Sequence, residues 1–501
     1  MTWLKAAAAA LAIFAGAHTA ASASDDPTRL GLEFFSAINE ERWDDVLTTG
    51  EALQDLPAYA RLPALFRAGV TMEMGAAHYF KRDHDSALPY MLEAREIHPG
   101  LPGLGYYLFM IHTLDARWPE AAAEVAAPAA QQGLFEQVRP NHLESVAQGL
   151  RGFGYEAELD AFLDALLRRW TPPEGPAGLD WVRQMVIEAH VKRGRINEAM
   201  DEARRLVGAS ALIDLRAARR YAELWTWSGF DELTEVRRGL QRETEALRAE
   251  LQSRRPALRT GVMLSANLLH LGDLDGAHAV AQSLLERVEA GERFPDAWEY
   301  HANLYTRLGD VLRARGDDDG AEAMYWRAAH TAGATDRPEM AGGHIVDIAH
   351  RHVMAGRGQQ ALDALEQVDE DMLTSRGHAI VARVRTVATF QAGDRDDAEA
   401  QLENLRDGGS TDYLRALLHI GRIEEAEAVL REEVSTPGGA ETVLAMLHDY
   451  RTHERATAFD VQTQARANLL ALAAQPDIAE AIAGAGRVLT FDDLYELDLD
   501  P

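Results

Sequence analysis

Histidine is the residue type in this sequence with the widest chemical use, and the chain contains 18 of them. The densest group lies in the stretch GGHIVDIAHRHVMAG, which holds His344, His350 and His352, with Asp347 one turn before His350. Metal ligands on a helix usually lie three or four residues apart on one face. These histidines are six and two residues apart, so we expect them to pack in the interior and we predict no metal site.

Familiar catalytic motifs are missing from the sequence. It contains no His-Glu-x-x-His, no glycine loop that would cradle a phosphate, and no Gly-x-Ser-x-Gly. It also contains no cysteine, which excludes a thiol nucleophile, a disulfide and a lipoprotein anchor. We therefore expect no catalytic residues, no cofactor and no enzymatic activity.

Pairs of large aromatic residues offer a second kind of chemistry, because their rings stack on sugars or on peptides. The pairs are Trp225 with Trp227, Trp298 with Tyr300, and Tyr325 with Trp326. Large rings are more often used for packing inside a protein and between its elements. Packing is the interpretation that we favour.

The elements that position these residues repeat along the chain, and residues 302–335 contain the clearest example. Its pattern residues are Leu308, Gly309, Leu312, Gly316, Ala321, Tyr325 and Ala328. Leu308 and Leu312 share one helix face, while Gly309 and Ala321 are small enough to let two helices approach closely. Gly316 suits a left-handed turn after the first helix, and Asp317–Asp319 offer caps for the second.

Similar turns recur at varying intervals. Their glycines are at positions 154, 194, 229, 272, 316, 356, 393 and 421, so the period runs from 28 to 44 residues. Across roughly residues 27 to 455 the pattern resembles the tetratricopeptide repeat family. A single hairpin cannot bury its apolar face alone. The resemblance implies an all-α fold, a right-handed superhelical solenoid of about ten or eleven antiparallel helix hairpins that binds proteins or peptides in a concave groove.

The resemblance also implies which side chains line that groove, since the family builds it largely from four positions of each first helix. From residue 140 onward, 32 such positions contain seven arginines and four acidic residues, a balance of +3. The candidate groove residues are Arg151, Trp181, Glu188, Arg216, Arg219, Glu223, Arg259, Asn303, Thr306, Asp310, Arg313, His350 and Arg383. The expected partner is a protein or peptide. Acidic groups on that partner would suit the arginines, because guanidinium groups bind carboxylates through two parallel hydrogen bonds.

The charge of the whole chain is strongly negative. Fifty basic and 80 acidic residues give a net charge of −30, which makes nucleic acid an unlikely partner. Only three residues are lysine, so nearly all of the positive charge is arginine. A GC-rich genome or a salty habitat explains such a composition as readily as a binding function does.

The first residues have the pattern of a secretory signal. Lys5 precedes an apolar run from Ala6 to Ala17, and the small residues Ala21-Ser22-Ala23 suggest cleavage after Ala23. The run is too short to span a bilayer comfortably, and no later stretch is long and apolar enough to do so. We expect a periplasmic or secreted protein with no membrane span after cleavage.

Four segments follow from these patterns: a signal peptide at 1–23, N-terminal repeats at 24–171, central and C-terminal repeats at 172–455, and capping helices with an acidic tail at 456–501. The loop PPEGPAG, residues 172–178, separates the two repeat segments. The tail TFDDLYELDLDP starts at Thr490 and is expected to be flexible or to cap the array. Alternatively it docks through Phe491, Leu494 and Leu497.

The function expected from this architecture is a non-catalytic interaction scaffold or assembly factor of the bacterial cell envelope. The alternative is a secreted all-helical toroid, either a polysaccharide lyase or a glycosidase, with paired carboxylates and aromatic rings in a central cavity. Fold alone does not decide between them, because function depends on sites.

Overall fold

The computed structural model describes residues 27–127, 133–172, 175–252, 256–334, 339–408, 410–454, 456 and 459–495. The predicted signal peptide, residues 1–23, lies outside this part of the chain. The chain divides into two compact units, Met1–Pro173 and Glu174–Pro501, called unit 1 and unit 2 below. Both consist mainly of helices that pack against the next helix in sequence, so the expected all-α repeat fold is confirmed.

Unit 1 is a row of helical hairpins. Its helices are α1 (Pro27–Asn39), α2 (Trp43–Gln54), α3 (Ala64–Phe80), α4 (His84–Ile97), α5 (Leu104–Leu114), α6 (Trp118–Ala126), α7 (Leu134–Gln137), α8 (Pro140–Gly152) and α9 (Glu156–Arg169). Phe34, Met74, Met91 and Leu108 are fully buried in a single apolar cluster that runs from α1 to α5. Each such side chain contributes roughly 1.5–3 kcal/mol on burial, so neighbouring hairpins stabilise one another.

Unit 2 continues the hairpins. Its helices are α10 (Asp180–Lys192), α11 (Ile196–Ala203), α12 (Ala209–Ala217), α13 (Phe230–Leu233), α14 (Val236–Leu251), α15 (Leu258–His270), α16 (Leu274–Glu289), α17 (Ala297–Ala314), α18 (Asp318–Gly333), α19 (Glu339–Met354), α20 (Gly358–Leu365), α21 (Ser375–Ala392), α22 (Arg395–Gly408), α23 (Ser410–Ile420), α24 (Ile423–Val434) and α25 (Pro437–Met446). Between α12 and α13 the backbone forms two short 3-10 turns, Arg219–Tyr221 and Leu224–Thr226. The regular hairpin pattern is therefore interrupted there.

The hairpin of α17 and α18 has the local structure that its sequence predicts. Gly316 takes a left-handed backbone with φ of 79°, and the Asp317 carboxylate accepts a hydrogen bond from the Gly320 N–H at 3.0 Å. A Cβ atom at Gly309 would lie 2.4 Å from the ring of Tyr325. The predicted turn, helix cap and close approach of the two helices are confirmed.

The last part of unit 2 is here named the C-terminal segment, residues 449–495. It consists of β1 (Asp449–Arg451), α26 (Asp460–Ala473), α27 (Pro476–Ala485) and β2 (Thr490–Tyr495). The two strands pair in parallel, with an irregularity between Tyr450 and Arg451.

The strand β2 differs from the expected flexible or capping tail. Phe491 and Leu494 are buried, as a docked segment requires, but they lie on a strand that pairs with β1 about 40 residues earlier. The sequence did not predict this strand, because a distant pairing partner leaves no mark on local periodicity. Leu497 lies outside the described residues.

No helix in the described part of the chain is both long enough and apolar enough to cross a membrane.

Candidate functional site: an arginine-rich face in unit 2

The residues predicted to line the groove come from many elements. Arg151 is exposed near the end of α8 in unit 1. The others lie in unit 2: Trp181 and Glu188 on α10, Arg216 on α12, Arg219 and Glu223 in the 3-10 region, Arg259 on α15, Asn303, Thr306, Asp310 and Arg313 on α17, His350 on α19, and Arg383 on α21. The structure brings together those of α17, α19 and α21.

Asp310 is the centre of this group. Its side chain is 3% exposed and accepts a hydrogen bond from the Tyr325 hydroxyl at 2.9 Å. The guanidinium groups of Arg307 and Arg351 lie 3.0 and 3.3 Å from its carboxylate oxygens. Burial alone would raise the pKa of Asp310, but Arg307, Arg351 and Arg313 outweigh burial and hold that pKa below its usual value. Asp310 therefore stays ionised and is unsuited to act as a general acid.

Arg383 forms a second centre two hairpins further along. Its side chain is 4% exposed, and its guanidinium lies 3.4 Å from the Asp412 carboxylate. His350 and His419 are close by, and burial lowers the pKa of both histidines. Arg383 and Arg415 lower them further, so that the pKa of His419 falls to about 3. Both imidazoles are therefore neutral at pH 7.

Five arginines of α17, α19, α21 and α23 are here named the arginine face: Arg307, Arg313, Arg351, Arg383 and Arg415. Asp310 and Asp412 neutralise part of its charge. Burial lowers the pKa of His344, His350, His419 and His453, and nearby arginines lower it further. Arginines are thus gathered in one region of a strongly acidic protein.

Two cavities adjoin the arginine face and share Arg313 and Phe459 in their walls. The guanidinium carbon of Arg313 lies 5.8 Å from the centre of the Phe459 ring. One cavity has a volume of about 270 Å³ and is also lined by Asp310, Tyr450, His453 and Arg466. The other has a volume of about 240 Å³ and is also lined by Glu322, Tyr325, Arg351 and Arg357. Each cavity therefore combines guanidinium groups with aromatic rings.

The C-terminal segment lies over this part of unit 2. Phe459 directly precedes α26, which packs against α19 and α23. The strand β2 contacts α15, and α27 contacts α24, α25 and the 3-10 turn at Arg219–Tyr221. The face that the sequence predicts to be a groove is thus partly covered by the chain itself.

Comparisons with known proteins add little to this description. Neither a protein-family model nor a curated protein matches the chain. Similar solved structures include the APC/C hetero-tetramer Cut9–Hcn1, at 11% identity and a TM-score of 0.29, covering 91% of this chain and 96% of that one. They also include Naa15/Naa10 bound to HypK-THB, at 13% identity and a TM-score of 0.24, covering 81% of this chain and 68% of that one.

A third similar structure is a circular tandem repeat protein with a novel repeat topology, at 15% identity and a TM-score of 0.14, covering 96% of both chains. Scores this low support no argument about this protein. The all-α repeat fold is shown by the packed hairpins of the chain itself.

Several predicted residues do not join the arginine face. Arg216 donates a hydrogen bond to the Thr234 hydroxyl at 3.2 Å, and Arg259 lies over the ring of Tyr300. Arg219 and Glu223 are exposed in the 3-10 region. The family's spacing assumes a continuous first helix, and the backbone interruption there breaks the register on which these two predictions depended.

Trp181 lines a separate cavity of about 370 Å³, together with Asp180, Gln184, Glu243 and Asn267. Glu188 pairs with Lys192 on its own helix at 2.7 Å. Burial raises the pKa of Glu243 to about 7, although the nearby Asn267 amide opposes this effect. This carboxyl group lies apart from the arginine face.

The histidine stretch provides no metal site in the described residues, where no group of three or more His, Asp or Glu side chains could hold an ion. His352 is buried, with its Nε2 atom 3.7 Å from the Glu322 carboxylate. His344 lies 3.4 Å from the Thr306 hydroxyl.

The sequence did not identify Arg351, Phe459, Tyr450 or Arg466 as site residues. Arg351 is next to a predicted groove position, and its helix turns it toward Asp310. The other three belong to the C-terminal segment, outside the repeats. A repeat template cannot find residues that reach the site from outside the repeats, and no local signal marked them.

Proposed function

We propose that this protein is a non-catalytic scaffold of the bacterial cell envelope, which binds a protein or peptide partner carrying acidic groups. The observation that carries the proposal is the arginine face, which gathers five arginines from four helices in a chain of net charge −30. Such a contrast favours acidic partners and disfavours others.

Arg313 is the side chain through which a partner would be recognised. It is half-buried and lies at the wall between the two cavities, so a carboxylate that enters either cavity meets its guanidinium group. A guanidinium binds a carboxylate with two parallel hydrogen bonds in a fixed geometry. The rings of Phe459 and Tyr325 would supply apolar contact beside the charge.

Binding of matched peptides to the full chain tests this proposal. One labelled peptide carries two glutamates flanked by Phe and Leu, and its partner carries glutamines instead. We expect the acidic peptide to bind preferentially and Arg313→Ala to weaken its binding about tenfold or more, because hydrogen bonds to charged groups contribute roughly 1.5–3 kcal/mol.

Arg327→Ala is the control for that experiment. Arg327 is an exposed arginine that pairs with Glu289 at 3.3 Å and packs over the ring of Tyr305, away from both cavities. Equal binding of the glutamine peptide, or an equal loss in Arg327→Ala and Arg313→Ala, would overturn the proposal.

The envelope location rests on the predicted signal peptide. Expression of the full chain in a Gram-negative host, followed by cell fractionation and N-terminal sequencing, tests it. We expect the mature protein in the periplasmic fraction, beginning at Ser24. A product that keeps its first residues and stays with the cytoplasmic fraction contradicts this part of the proposal.

A further inference from the structure

The strand β2 occupies a defined site in unit 2. The Asp449 N–H donates a hydrogen bond to the Leu489 carbonyl at 2.9 Å, and β2 then runs parallel to β1. Leu494 is fully buried, while Asp492 and Asp493 are exposed. The segment is therefore held through its backbone on one side and through the buried side chains of Phe491 and Leu494.

Aromatic side chains of β2 fit two specific positions. The Phe491 ring stacks on Tyr450, with ring centres 4.9 Å apart. The Tyr495 ring stacks on His453 at 3.9 Å and lies so close to the turn before α16 that a Cβ at Gly272 would approach it to 2.5 Å.

An arginine outside the arginine face recognises the acidic part of β2. The Arg237 guanidinium donates a hydrogen bond to the Asp493 carbonyl, and it lies 3.9 Å from the Asp493 carboxylate. The same side chain reaches the Leu271 carbonyl at 3.5 Å. Arg237 thus joins α14, the turn before α16 and the bound strand.

We propose that the site filled by β2 is a peptide-binding site, and that a partner protein inserts there a strand of the same chemistry in place of β2. In that strand, two acidic residues follow an aromatic residue and precede a leucine, and a second aromatic residue follows the leucine. The inference goes beyond the proposed function, because it assigns a second binding site for an acidic partner, apart from Arg313, and names the form of that partner.

Two features of the bound strand make exchange physically reasonable. The ladder is short, because β1 has three residues and its register is irregular. The strand is also tethered, which gives it an effective concentration on the order of millimolar. A free peptide therefore competes only when the tethered strand is loosened, since the apparent affinity falls with the fraction of open sites.

The test uses the full chain and a labelled peptide with the sequence VLTFDDLY, residues 488–495. Two variants loosen the tethered strand by different means: Leu494→Ala removes buried apolar contact, and Asp493→Lys places a positive charge beside Arg237. Because Asp493 is exposed, we expect Asp493→Lys to keep the fold even if Leu494→Ala does not. Leu469→Ala, in α26, is the matched control for a buried leucine outside β2.

We expect both loosened variants to bind the peptide about tenfold or more tightly than the parent and Leu469→Ala do. A peptide with asparagine at both aspartate positions should bind more weakly. Because the peptide takes the place of β2, hydrogen exchange at residues 490–495 of the chain should become faster when the peptide is added. Equal binding by all four proteins, or no binding by variants whose strand amides exchange rapidly, overturns the inference.

Light scattering detects a different occupant, the strand β2 of a second copy of the chain. Dimers of the loosened variants that the peptide cannot disperse would show that two copies exchange β2. This result would also overturn the inference. Failure here is separable from failure of the proposed function. Loss of Arg313-dependent binding with intact VLTFDDLY binding affects only the arginine face, and the reverse result affects only the strand site.

Discussion

Units 1 and 2 share the helical hairpin but differ in what they expose. In unit 1, large apolar side chains are exposed beside the hairpin turns, as Phe80, Leu114, Phe153 and Tyr155 are. In unit 2, first helices carry buried charged side chains such as Asp310 and Arg383, and the chain's own C-terminal segment covers part of this region. The two units therefore present different surfaces on the same hairpin pattern. Buried charged side chains distinguish unit 2 from unit 1 more clearly than buried apolar side chains do.

The largest expected effect comes from removing the central carboxylate of unit 2. Asp310→Ala leaves Arg307, Arg351 and Arg313 without their buried counter-charge, and breaking a buried ion pair in this way costs about 3–5 kcal/mol. Hydrogen exchange in increasing denaturant, followed separately on peptides from each unit, should show unit 2 destabilised and unit 1 unchanged.

Asp275→Asn is the control, because Asp275 pairs with Arg315 while 97% exposed. It should leave both units unchanged, since exposed ion pairs contribute little. A similar loss in both variants would show that burial is not what distinguishes Asp310.

The hairpins of the array and the small residues between their helices could be predicted because each depends on residues close in sequence, such as Gly309 and Gly316. The site was predicted less well. The repeat spacing placed Asp310, Arg313, His350 and Arg383 in one region. It could not show that Asp310 is paired with Arg351 and Arg383 with Asp412, because these partners come from other helices. The strand β2 was missed since its partner β1 lies far away in the chain.

The second largest effect concerns pH and Glu243. Its pKa is raised from 4.5 to about 7, so between these values the folded state holds a proton that the unfolded state has lost. Stability from this group is present below pH 4.5 and is lost as the pH rises through 7. One pKa unit corresponds to about 1.4 kcal/mol. The free energy of unfolding of Glu243→Gln, relative to that of the parent, should therefore rise by about 2–3 kcal/mol from pH 5 to pH 8.

Glu124→Gln in unit 1 is the matched variant for that measurement. Burial raises the pKa of Glu124 too, but Arg95 lies 2.7 Å away and opposes the effect. Denaturant unfolding at the two pH values should give a smaller change for Glu124→Gln. An equal change would remove this difference between the units.

Substitutions at two helical glycines allow the packing of the two units to be compared directly. A Cβ at Gly149 in unit 1 would lie 2.3 Å from the Trp118 ring, and one at Gly309 in unit 2 would lie 2.4 Å from the Tyr325 ring. Alanine at either position should cost about 1–3 kcal/mol through overpacking, each within its own unit. Gly343→Ala, with nothing within 4 Å, should stabilise unit 2 instead. Stabilisation by all three would mean that helix propensity outweighs crowding.

The smallest expected effect has opposite signs in the two units. Unit 1 uses Ala116 at a left-handed turn position with φ of 55°, whereas unit 2 uses Gly316 with φ of 79°. A non-glycine residue in this left-handed region costs about 1–2 kcal/mol. Glycine avoids this cost, but part of the advantage is lost because glycine has more conformational freedom in the unfolded chain. Ala116→Gly should therefore stabilise unit 1 slightly, and Gly316→Ala should destabilise unit 2 by about 1 kcal/mol. If thermal unfolding moves in the same direction for both variants, tertiary contacts and not backbone strain govern these turns.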